Sequence, residues 1–268
     1  MKKSNCSFSN LALSKRPWLS TFGGYLADII RFPVIGFMII AHWLIFMVCN
    51  QVEVIGLNKF PWQKNVLIII NHQGYWDSSL TATVLFSTRI TKQIWLPFSR
   101  HLLKHYFLIP WHSADFHNFV KAWRKPWAWA CKIIPVFRQN ASVVTTNVTF
   151  QRQSEALDRS ILCNFPEGGR TRRPPYLAEK LTAGTGRLIF AKRPIVQPVL
   201  ILGMNEIQKI GDPYLKFRFR KRITIVFLPP LIPDHFSDLF GQENTKKVWE
   251  EITKRAFQPI REELARKL

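Results

Sequence analysis

A strand-like aliphatic run followed by a polar turn constrains this chain more than any other feature. Val66–Ile70 has five consecutive aliphatic residues, which is typical of a strand covered on both faces. The segment Asn71–Asp77 (NHQGYWD) follows at once and puts a histidine and an aspartate five positions apart. In an unbroken helix, five residues rotate a side chain by roughly 140°. His72 and Asp77 can therefore share a site only if the backbone turns between them.

The same segment contains the residues for such a turn. Gly74 permits unusual dihedral angles, and Asp77-Ser78-Ser79 can cap a helix that begins near Leu80. His72 is then expected at the end of the strand, with Asp77 facing back toward it. A histidine held by a carboxylate is a general base of fixed tautomer and orientation. Taken alone, the segment is more often an ordinary polar turn that contains a histidine.

A second polar segment, Asn164–Arg172, follows the apolar residues Ile161–Cys163. It contains Glu167 beside Arg170 and Arg172, on a backbone made compliant by adjacent glycines. This combination is suited to binding a phosphate group together with a hydroxyl-bearing substrate. A solvated turn in which Glu167 merely pairs with Arg170 is the alternative.

Two further segments complete an ordered set of motifs. Ile134–Arg138 is an apolar segment that ends in arginine, and Val196–Val199 has the sequence Val-Gln-Pro-Val. With Asn71–Asp77 and Phe165–Arg170, they resemble the motifs of the glycerolipid acyltransferases, the family typified by 1-acylglycerol-3-phosphate acyltransferase. The family patterns are Asn-His-x4-Asp, an apolar segment with arginine, Phe-Pro-Glu-Gly-Thr-Arg and Val-x-Pro-Val. The resemblance covers roughly Val54 to Leu231.

The resemblance implies a membrane-bound O-acyltransferase. Its expected reaction moves a fatty acyl chain from acyl-CoA or acyl-carrier-protein to the free hydroxyl of lysophosphatidate (1-acylglycerol-3-phosphate). His72 is the expected catalytic base, and Asp77 is expected to orient it. The acceptor-binding residues implied are Arg138, Glu167, Gly168 and Arg170. No metal and no cofactor beyond the acyl donor is expected.

The sequence departs from the family patterns at two places, which leaves the acceptor open. Gly169 stands where the family usually has threonine, and Gln73-Gly74 stand where a serine often follows. Lys180–Leu188 is similar to the family's substrate-channel region and also to its tafazzin-like transacylase branch. An acyltransferase or transacylase acting on another lysophospholipid is therefore one alternative. A non-catalytic basic protein that binds membranes or nucleic acid is the alternative of another class.

The charge of the chain favours acidic partners. Lys and Arg number 38 against 17 Asp and Glu, which gives a formal net charge of +21. Such a field attracts anionic membranes, coenzyme A and nucleic acid alike. The expected partners are an anionic membrane surface, a lysophospholipid acceptor and an acyl thioester donor. No nucleic acid is expected, because no nucleic-acid motif accompanies the charge.

Two regions combine basic and aromatic residues. Lys216–Arg220 alternates the two at the period of a strand, which predicts one cationic face and one buried face. The cationic face is expected at a solvated or membrane-facing edge. A tryptophan cluster mixed with basic residues could lie at headgroup depth or form a packed helix face. Its members are Trp111, Trp123, Trp127 and Trp129.

Residues 1–53 are expected to form a membrane-associating helical segment. Phe32–Cys49 is an apolar run of 18 residues, about the minimum for crossing a bilayer. Trp18–Ile30 is amphipathic, carries Asp28 and is broken at Gly23-Gly24, which favours a helix lying in the interface. Two helices in one leaflet are the preferred arrangement, and a single transmembrane anchor is the alternative.

Basic residues on both sides of the apolar run favour a monotopic segment on the cytoplasmic face of the membrane. The cysteines point to a reducing compartment, since they show neither a CxxC pair nor a regular framework. Disulfides and structural zinc are therefore not expected. The four cysteines are Cys6, Cys49, Cys131 and Cys163.

Residues 54–268 are expected to form one α/β acyltransferase domain with a mixed, largely parallel sheet flanked by helices. A last amphipathic helix is predicted from about Thr245 toward Leu268. Both polar motifs follow strand ends, where active sites of α/β sheets usually lie. The predicted strands are Val66–Ile70, Trp95–Phe98, Ile133–Phe137, Ser160–Cys163, Ile195–Leu202 and Ile223–Leu228.

Overall fold

The computed structural model of the chain has a central sheet with helices on both faces. It describes residues 21–89, 95–97, 102, 104–115, 124–137, 142–171, 180–209, 212 and 216–267. The strands in these ranges are β1 (Gln51–Ile55), β2 (Val66–Ile70), β3 (Thr88–Arg89), β4 (Trp95–Leu96), β5 (Trp111–Asp115), β6 (Ile133–Val136), β7 (Ile161–Asn164), β8 (Ile195–Leu202) and β9 (Arg222–Phe227).

Within the described ranges, seven of these strands form one sheet in the order β1-β9-β8-β2-β7-β5-β6. Neighbouring strands are parallel, except that β8 and β9 are antiparallel. β3 and β4 form a separate antiparallel pair. The predicted fold class, an α/β protein with a mixed and largely parallel sheet, is confirmed.

Helices cover both faces of the sheet. α1 and α2 pack on one face, and α4, α5 and α8 pack on the other. The helices are α1 (Thr21–Trp43, continued as a π-helix over Leu44–Val48), α2 (Asp77–Phe86), α3 (Arg124–Ala130), α4 (Val143–Arg159), α5 (Ala183–Lys192), α6 (Met204–Ile207), α7 (Ser237–Phe240) and α8 (Lys246–Lys267). Short 3-10 helices span Leu57–Lys59, Tyr106–Leu108 and Pro233–Phe236.

The central position of β2 explains its composition. All five of its residues are fully buried, because helices cover the strand on both sides. Val66, Ile68 and Ile70 pack with α1 and α2, whereas Leu67 and Ile69 pack with the helices of the opposite face. The continuous aliphatic run thus places the polar turn that follows it at the middle of the sheet edge.

The strand predictions hold best where apolar residues are continuous. β2 and β8 have the predicted bounds, and β6 ends one residue earlier than predicted. β7 and β9 are displaced by one residue at both ends. The strand predicted at Trp95–Phe98 is shorter, since β4 ends at Leu96, and Phe98 lies outside the described residues. β1 and β5 were not predicted, because β5 has no Val, Ile or Leu and the polar–aliphatic alternation of β1 is only five residues long.

Of the tryptophan cluster, the structure describes the side chains of Trp111 and Trp129, and Arg31 of α1 lies over both rings. Trp111 lies in β5 and is buried, so the prediction of headgroup depth or a helix face is wrong for this residue. Its ring belongs to the apolar core between the sheet and the helices α4, α5 and α8, because Trp111 is part of a buried strand. Trp127 and Trp129 lie in α3, and Trp123 lies outside the described residues.

The N-terminal segment differs from the predicted pair of helices. Thr21–Trp43 is one continuous helix that includes Gly23, Gly24 and Asp28. Asp28 fits inside it because its carboxylate pairs with Arg31 at 2.9 Å and with Lys132 at 3.3 Å. Residues 1–20 of the predicted segment lie outside the described part of the chain. β1 spans the predicted boundary at residue 53, and the division into two domains stays a prediction.

α1 is attached to the domain through its charged residues. Arg31 is buried, donates from Nε to the carbonyl oxygen of Trp129 at 3.0 Å and lies over that indole ring at 4.3 Å. The hydroxyl of Tyr106 donates to the carbonyl oxygen of Asp28. Near the other end, Trp43 Nε1 donates to the carbonyl oxygen of residue 95 at 2.9 Å. The helix is thus fixed along the α/β domain at both ends.

The outward side of α1 is apolar, which reverses the usual polarity of a surface helix. Leu26–Val48 is long and apolar enough to cross a membrane by length and composition. The exposed apolar residues of this stretch are Leu26, Ile29, Ile30, Phe32, Phe37, Ile40, Leu44 and Val48.

The strand predicted at Lys216–Arg220 does not form. These residues are irregular, and β9 begins only at Arg222. Arg220 has a left-handed backbone with φ of 59°, which is incompatible with a continuous strand. Phe219 is 53% exposed, so the prediction of a wholly buried aromatic face is wrong as well.

Candidate active site

The two polar motifs meet at one edge of the sheet. β2 and β7 are adjacent and parallel, so their carboxyl ends lie side by side. His72 follows β2 and Glu167 follows β7, each within three residues of the strand end. This is the edge at which α/β sheets usually bind ligands.

His72 and Asp77 are in direct contact. The distance from His72 Nδ1 to Asp77 Oδ2 is 2.9 Å, and the same oxygen accepts the backbone N–H groups of Gln73 and Gly74 at 2.8 and 2.9 Å. The Asp77 side chain is fully buried. These three contacts fix the orientation of the carboxylate at the start of α2.

α2 begins at Asp77 instead of near Leu80, so the predicted helix start was three residues late. The reason is that the Asp77 carboxylate accepts hydrogen bonds from the residues that precede the helix. Asp77 bonds backward to the turn that precedes the helix, so it does not cap a later first turn. The polar turn therefore ends directly in the helix, and this geometry holds the imidazole and the carboxylate together.

The second ring nitrogen of His72 is available for chemistry. A Nδ1–H that donates to Asp77 leaves Nε2 as the unprotonated acceptor. Within the described residues, no group hydrogen-bonds to Nε2. The ring stacks on Phe165, with centroids 4.3 Å apart, and its side chain is 13% exposed. In this tautomer, Nε2 can accept a proton from a ligand.

The residues on either side of His72 are tied to β8 and α6. Asn71 donates to the carbonyl oxygen of Ile201 at 2.9 Å and accepts the N–H of the same residue at 2.7 Å. The side-chain oxygen of Gln73 accepts the N–H of Met204 at 3.1 Å. Both amide side chains are buried. These bonds fix the backbone from which the histidine projects.

The loop of residues 165–171 is tied to the backbone of His72. Glu167 is buried, and its Oε1 accepts the N–H of His72 at 3.3 Å while its Oε2 accepts the hydroxyl of Thr171. The N–H of Thr171 donates to the carbonyl oxygen of His72 at 3.0 Å. Both carboxylate oxygens of Glu167 therefore contact the protein, and acceptor binding by this residue stays a prediction.

Gly168 occupies a place that only glycine fits. Its φ is +65°, and an added Cβ would lie 2.5 Å from the methyl carbon of Thr182. Thr182 in turn donates its N–H to the carbonyl oxygen of Pro166 at 2.7 Å. The glycine thus lets the loop close against the segment that leads into α5. A role for Gly168 in binding the acceptor stays a prediction.

Arg170 lies over the ring of Tyr75, with the guanidinium carbon 3.7 Å from the ring centroid. This contact places a cation beside the turn that carries His72. Arg138 and Arg172 lie outside the described residues, so the structure says nothing about the predicted phosphate contact of Arg138.

Sequence reasoning missed Tyr75 and Thr171. Tyr75 lies inside the first motif and Thr171 directly follows the third, so position along the chain was the available signal. Their contacts with Arg170 and Glu167 depend on how two loops meet, which residue spacing does not reveal. Cys163 lies close to the third motif, but burial raises the pKa of its thiol far above the ordinary value. A thiolate nucleophile is therefore disfavoured there.

The described residues contain no group of three or more His, Cys, Asp or Glu side chains placed to hold a metal ion. The family model for the acyltransferases matches residues 51–202, which is more than half of the chain. The chain belongs to the acyltransferase family. The matched span includes both motifs at the sheet edge, and the family expected from the sequence is confirmed.

Comparison with solved structures gives a similar fold in the 1-acyl-sn-glycerophosphate (LPA) acyltransferase PlsC from Thermotoga maritima. The two chains are 18% identical, the alignment covers 88% of each, and the TM-score is 0.49. Comparison with curated protein sequences gives no match.

Proposed function

We propose that this acyltransferase moves a fatty acyl chain from acyl-CoA or acyl-carrier-protein to the free hydroxyl of lysophosphatidate. The observation that carries the proposal is the His72–Asp77 hydrogen bond, beside a loop that presents Arg170. An acceptor with one hydroxyl and one phosphate needs a base and a cation at neighbouring positions. The family assignment supports acyl transfer as the reaction.

In this proposal, Nε2 of His72 takes the proton of the acceptor hydroxyl while the oxygen attacks the thioester carbonyl carbon. The imidazolium that forms faces the carboxylate of Asp77, which stabilises the charge. Collapse of the tetrahedral intermediate breaks the C–S bond, and the departing thiolate takes the proton back from His72. The backbone N–H of Gly169 is the proposed donor to the oxyanion, since the N–H of Gly168 donates to the carbonyl oxygen of Phe165 at 3.0 Å.

Arg170 is the proposed partner of the acceptor phosphate, because guanidinium matches phosphate oxygens in pairs. Arg138 is proposed as a second phosphate contact, as the family resemblance implies. Glu167 and Gly168 are proposed to shape the glycerol site. The contacts of Glu167 with His72 and Thr171 support an effect on the position of the loop in addition to any contact with substrate.

The proposed location of the protein is the cytoplasmic face of an anionic membrane, where its lipid substrates would be found. We place α1 in the plane of that membrane, because its apolar residues face outward and Asp28 and Arg31 face the α/β domain. Crossing the bilayer would carry the buried contacts of Arg31 and Lys132 into the hydrocarbon together with the attached domain. An in-plane helix keeps these contacts and buries its apolar side.

The test is transfer of a labelled acyl chain from acyl-CoA or acyl-carrier-protein to a panel of lysophospholipids in detergent. We expect lysophosphatidate to be acylated and His72→Ala to be inactive, while the variant keeps the circular dichroism of the native chain. Its thermal midpoint should fall, because the His72 side chain is only 13% exposed and stacks on Phe165.

Other outcomes of this assay are informative. Acylation of other lysophospholipids alone would keep the reaction and replace the acceptor, and transfer from a phospholipid donor would indicate a transacylase. Retained activity in His72→Ala would remove this residue from the mechanism. Absence of transfer with every donor would overturn the proposal and leave a non-catalytic binding protein.

A further inference from the structure

Residues 216–221, called here the rim segment, are held against the end of α1. The N–H of Arg220 donates to the carbonyl oxygen of Cys49 at 2.8 Å, and the N–H of Lys221 donates to the side-chain oxygen of Asn50 at 3.0 Å. Asn50 also donates to the carbonyl oxygen of Ile45 at 2.7 Å. The rim segment and the last turns of the helix are therefore one connected surface.

The two phenylalanines of the rim segment have different surroundings. Phe217 packs inward on Phe46 and Trp76, with centroid distances of 6.4 and 5.6 Å. Phe219 points away from this cluster and is 53% exposed. Val48, next to the residue that binds the Arg220 backbone, is 57% exposed. An exposed ring therefore lies one residue from the backbone contact between Arg220 and the end of α1.

Cations flank this exposed ring. Arg220 is exposed and forms no ion pair with any residue in the described ranges, and the Lys216 side chain is 58% exposed. Three acidic groups lie nearby, namely Asp212, Glu53 and Glu206, whose charge acts on Arg218. Asp212 pairs with Arg218 at 2.5 Å and lies 3.7 Å from Lys216, so it offsets part of the positive charge. Glu53 likewise pairs with Arg222, the first residue of β9.

We propose that the rim segment and the outer side of α1 form one docking surface for a bilayer that contains anionic phospholipids. The Phe219 ring enters the boundary between headgroups and acyl chains, next to Val48. Arg220 and Lys216 contact lipid phosphates on either side of the ring. An exposed apolar strip with adjoining cations is the pattern of interfacial membrane contact.

The proposal deepens the membrane attachment of the proposed function and does not depend on catalysis. Its position has a consequence for substrate access. Phe217 contacts Trp76, which is the neighbour of Asp77 along the chain. The docking surface therefore borders the candidate active site, and a lipid acceptor held in the leaflet would lie close to His72.

The test uses the full chain and vesicles of phosphatidylcholine alone or mixed with phosphatidylglycerol. We expect Arg220→Gln to weaken binding to the anionic vesicles about five-fold, because one basic residue near such a surface contributes on the order of 1 kcal/mol. Binding to neutral vesicles should not change. Arg220→Lys should keep the anionic preference, and Phe219→Ser should weaken binding to both kinds of vesicle.

Matched controls lie on the opposite face of the sheet. Lys247→Gln in α8 removes the same charge, and Val143→Ser in α4 removes an exposed apolar side chain. Both should bind vesicles as the native chain does. Equal losses in Arg220→Gln and Lys247→Gln would reduce the effect to net charge and overturn the proposal, as would unchanged binding by Phe219→Ser.

A single-stranded oligonucleotide serves as the competing ligand. If the Arg220 and Phe219 variants lost oligonucleotide binding and kept vesicle binding, the surface would be a nucleic-acid site and the proposal would be wrong. His72→Ala should bind vesicles normally. Failure of the docking surface is therefore distinguishable from failure of the proposed acyl transfer.

Discussion

Asp77 and Asp28 are both carboxylates held beside basic side chains, but their surroundings differ in what they leave open. Asp77 holds one nitrogen of His72, and the other nitrogen of that ring has no described partner. Asp28 pairs with Arg31 and Lys132, and both of these side chains are almost fully buried. The first group leaves an atom that a ligand can reach. The second uses its charges inside the protein.

This difference indicates a role in the candidate reaction for Asp77 and a role in attaching α1 for Asp28. A carboxylate next to a basic group can serve either purpose, so the contact alone does not identify an active site. What supports the candidate active site here is the remaining acceptor on His72, at the sheet edge where the loop with Arg170 also lies. At Asp28 the same kind of pairing fixes α1 on the domain.

The largest effect is expected from Asp77→Asn. The amide cannot favour the required tautomer of His72 or stabilise its imidazolium, so kcat should fall by about 10⁴. Steady-state acylation of lysophosphatidate at saturating donor measures this change. A loss of less than ten-fold would mean that Asp77 is as structural as Asp28, and the contrast between them would disappear.

Asp28→Asn should have the opposite profile. It leaves Lys132 and Arg31 buried without their counter-charge, and breaking such a buried pair costs on the order of 3 kcal/mol of unfolding free energy. The kcat of the folded fraction should stay near the native value. Denaturant unfolding in detergent and acylation at low temperature measure the two quantities. A large fall in kcat with unchanged stability would contradict the assignment.

Locality explains how much of these two groups could be predicted. His72 and Asp77 are five residues apart, and all residues of the turn between them belong to one short segment of the sequence. Lys132, one of the partners of Asp28, lies 104 residues further along the chain, and no pattern in either segment indicates the contact. Glu167 was predicted as a site residue through the family motif. Its bond to the His72 backbone was not, because that bond requires β2 and β7 to be neighbours.

A smaller effect is expected from the ring under Arg170. Tyr75→Leu removes the aromatic face, so the guanidinium loses a contact worth about 1 kcal/mol, and the KM for lysophosphatidate should rise about five-fold with little change in kcat. Tyr75→Phe keeps the face and should behave as the native enzyme does. Equal KM values in the two variants would show that the ring does not position the arginine.

The smallest effect concerns pH and the Asp28 cluster. Burial lowers the pKa of Lys132 to about 8, against the opposing influence of Asp28. The unfolded chain, where the value is 10.5, therefore binds more protons than the folded chain between pH 8 and 10.5. In this window Lys132 should make unfolding free energy rise with pH.

The measurement is the difference in unfolding free energy between the native chain and Lys132→Met across that window. Burial lowers the pKa of the neighbouring His112 to about 4, well below the window. Tyr106 is present in both chains, so its contribution largely cancels. A difference that stays constant with pH would place Lys132 in a more polar environment than the structure shows.

The amide of Asn71 links the histidine turn to Ile201, a residue 130 positions further along the chain. During synthesis, β8 must leave the ribosome before that link can form. A nascent chain that stops before β8 can make the local His72–Asp77 turn but cannot anchor it. The candidate site can therefore be completed only after most of the chain has been synthesised. Contacts between residues this far apart in sequence are expected to form slowly during folding.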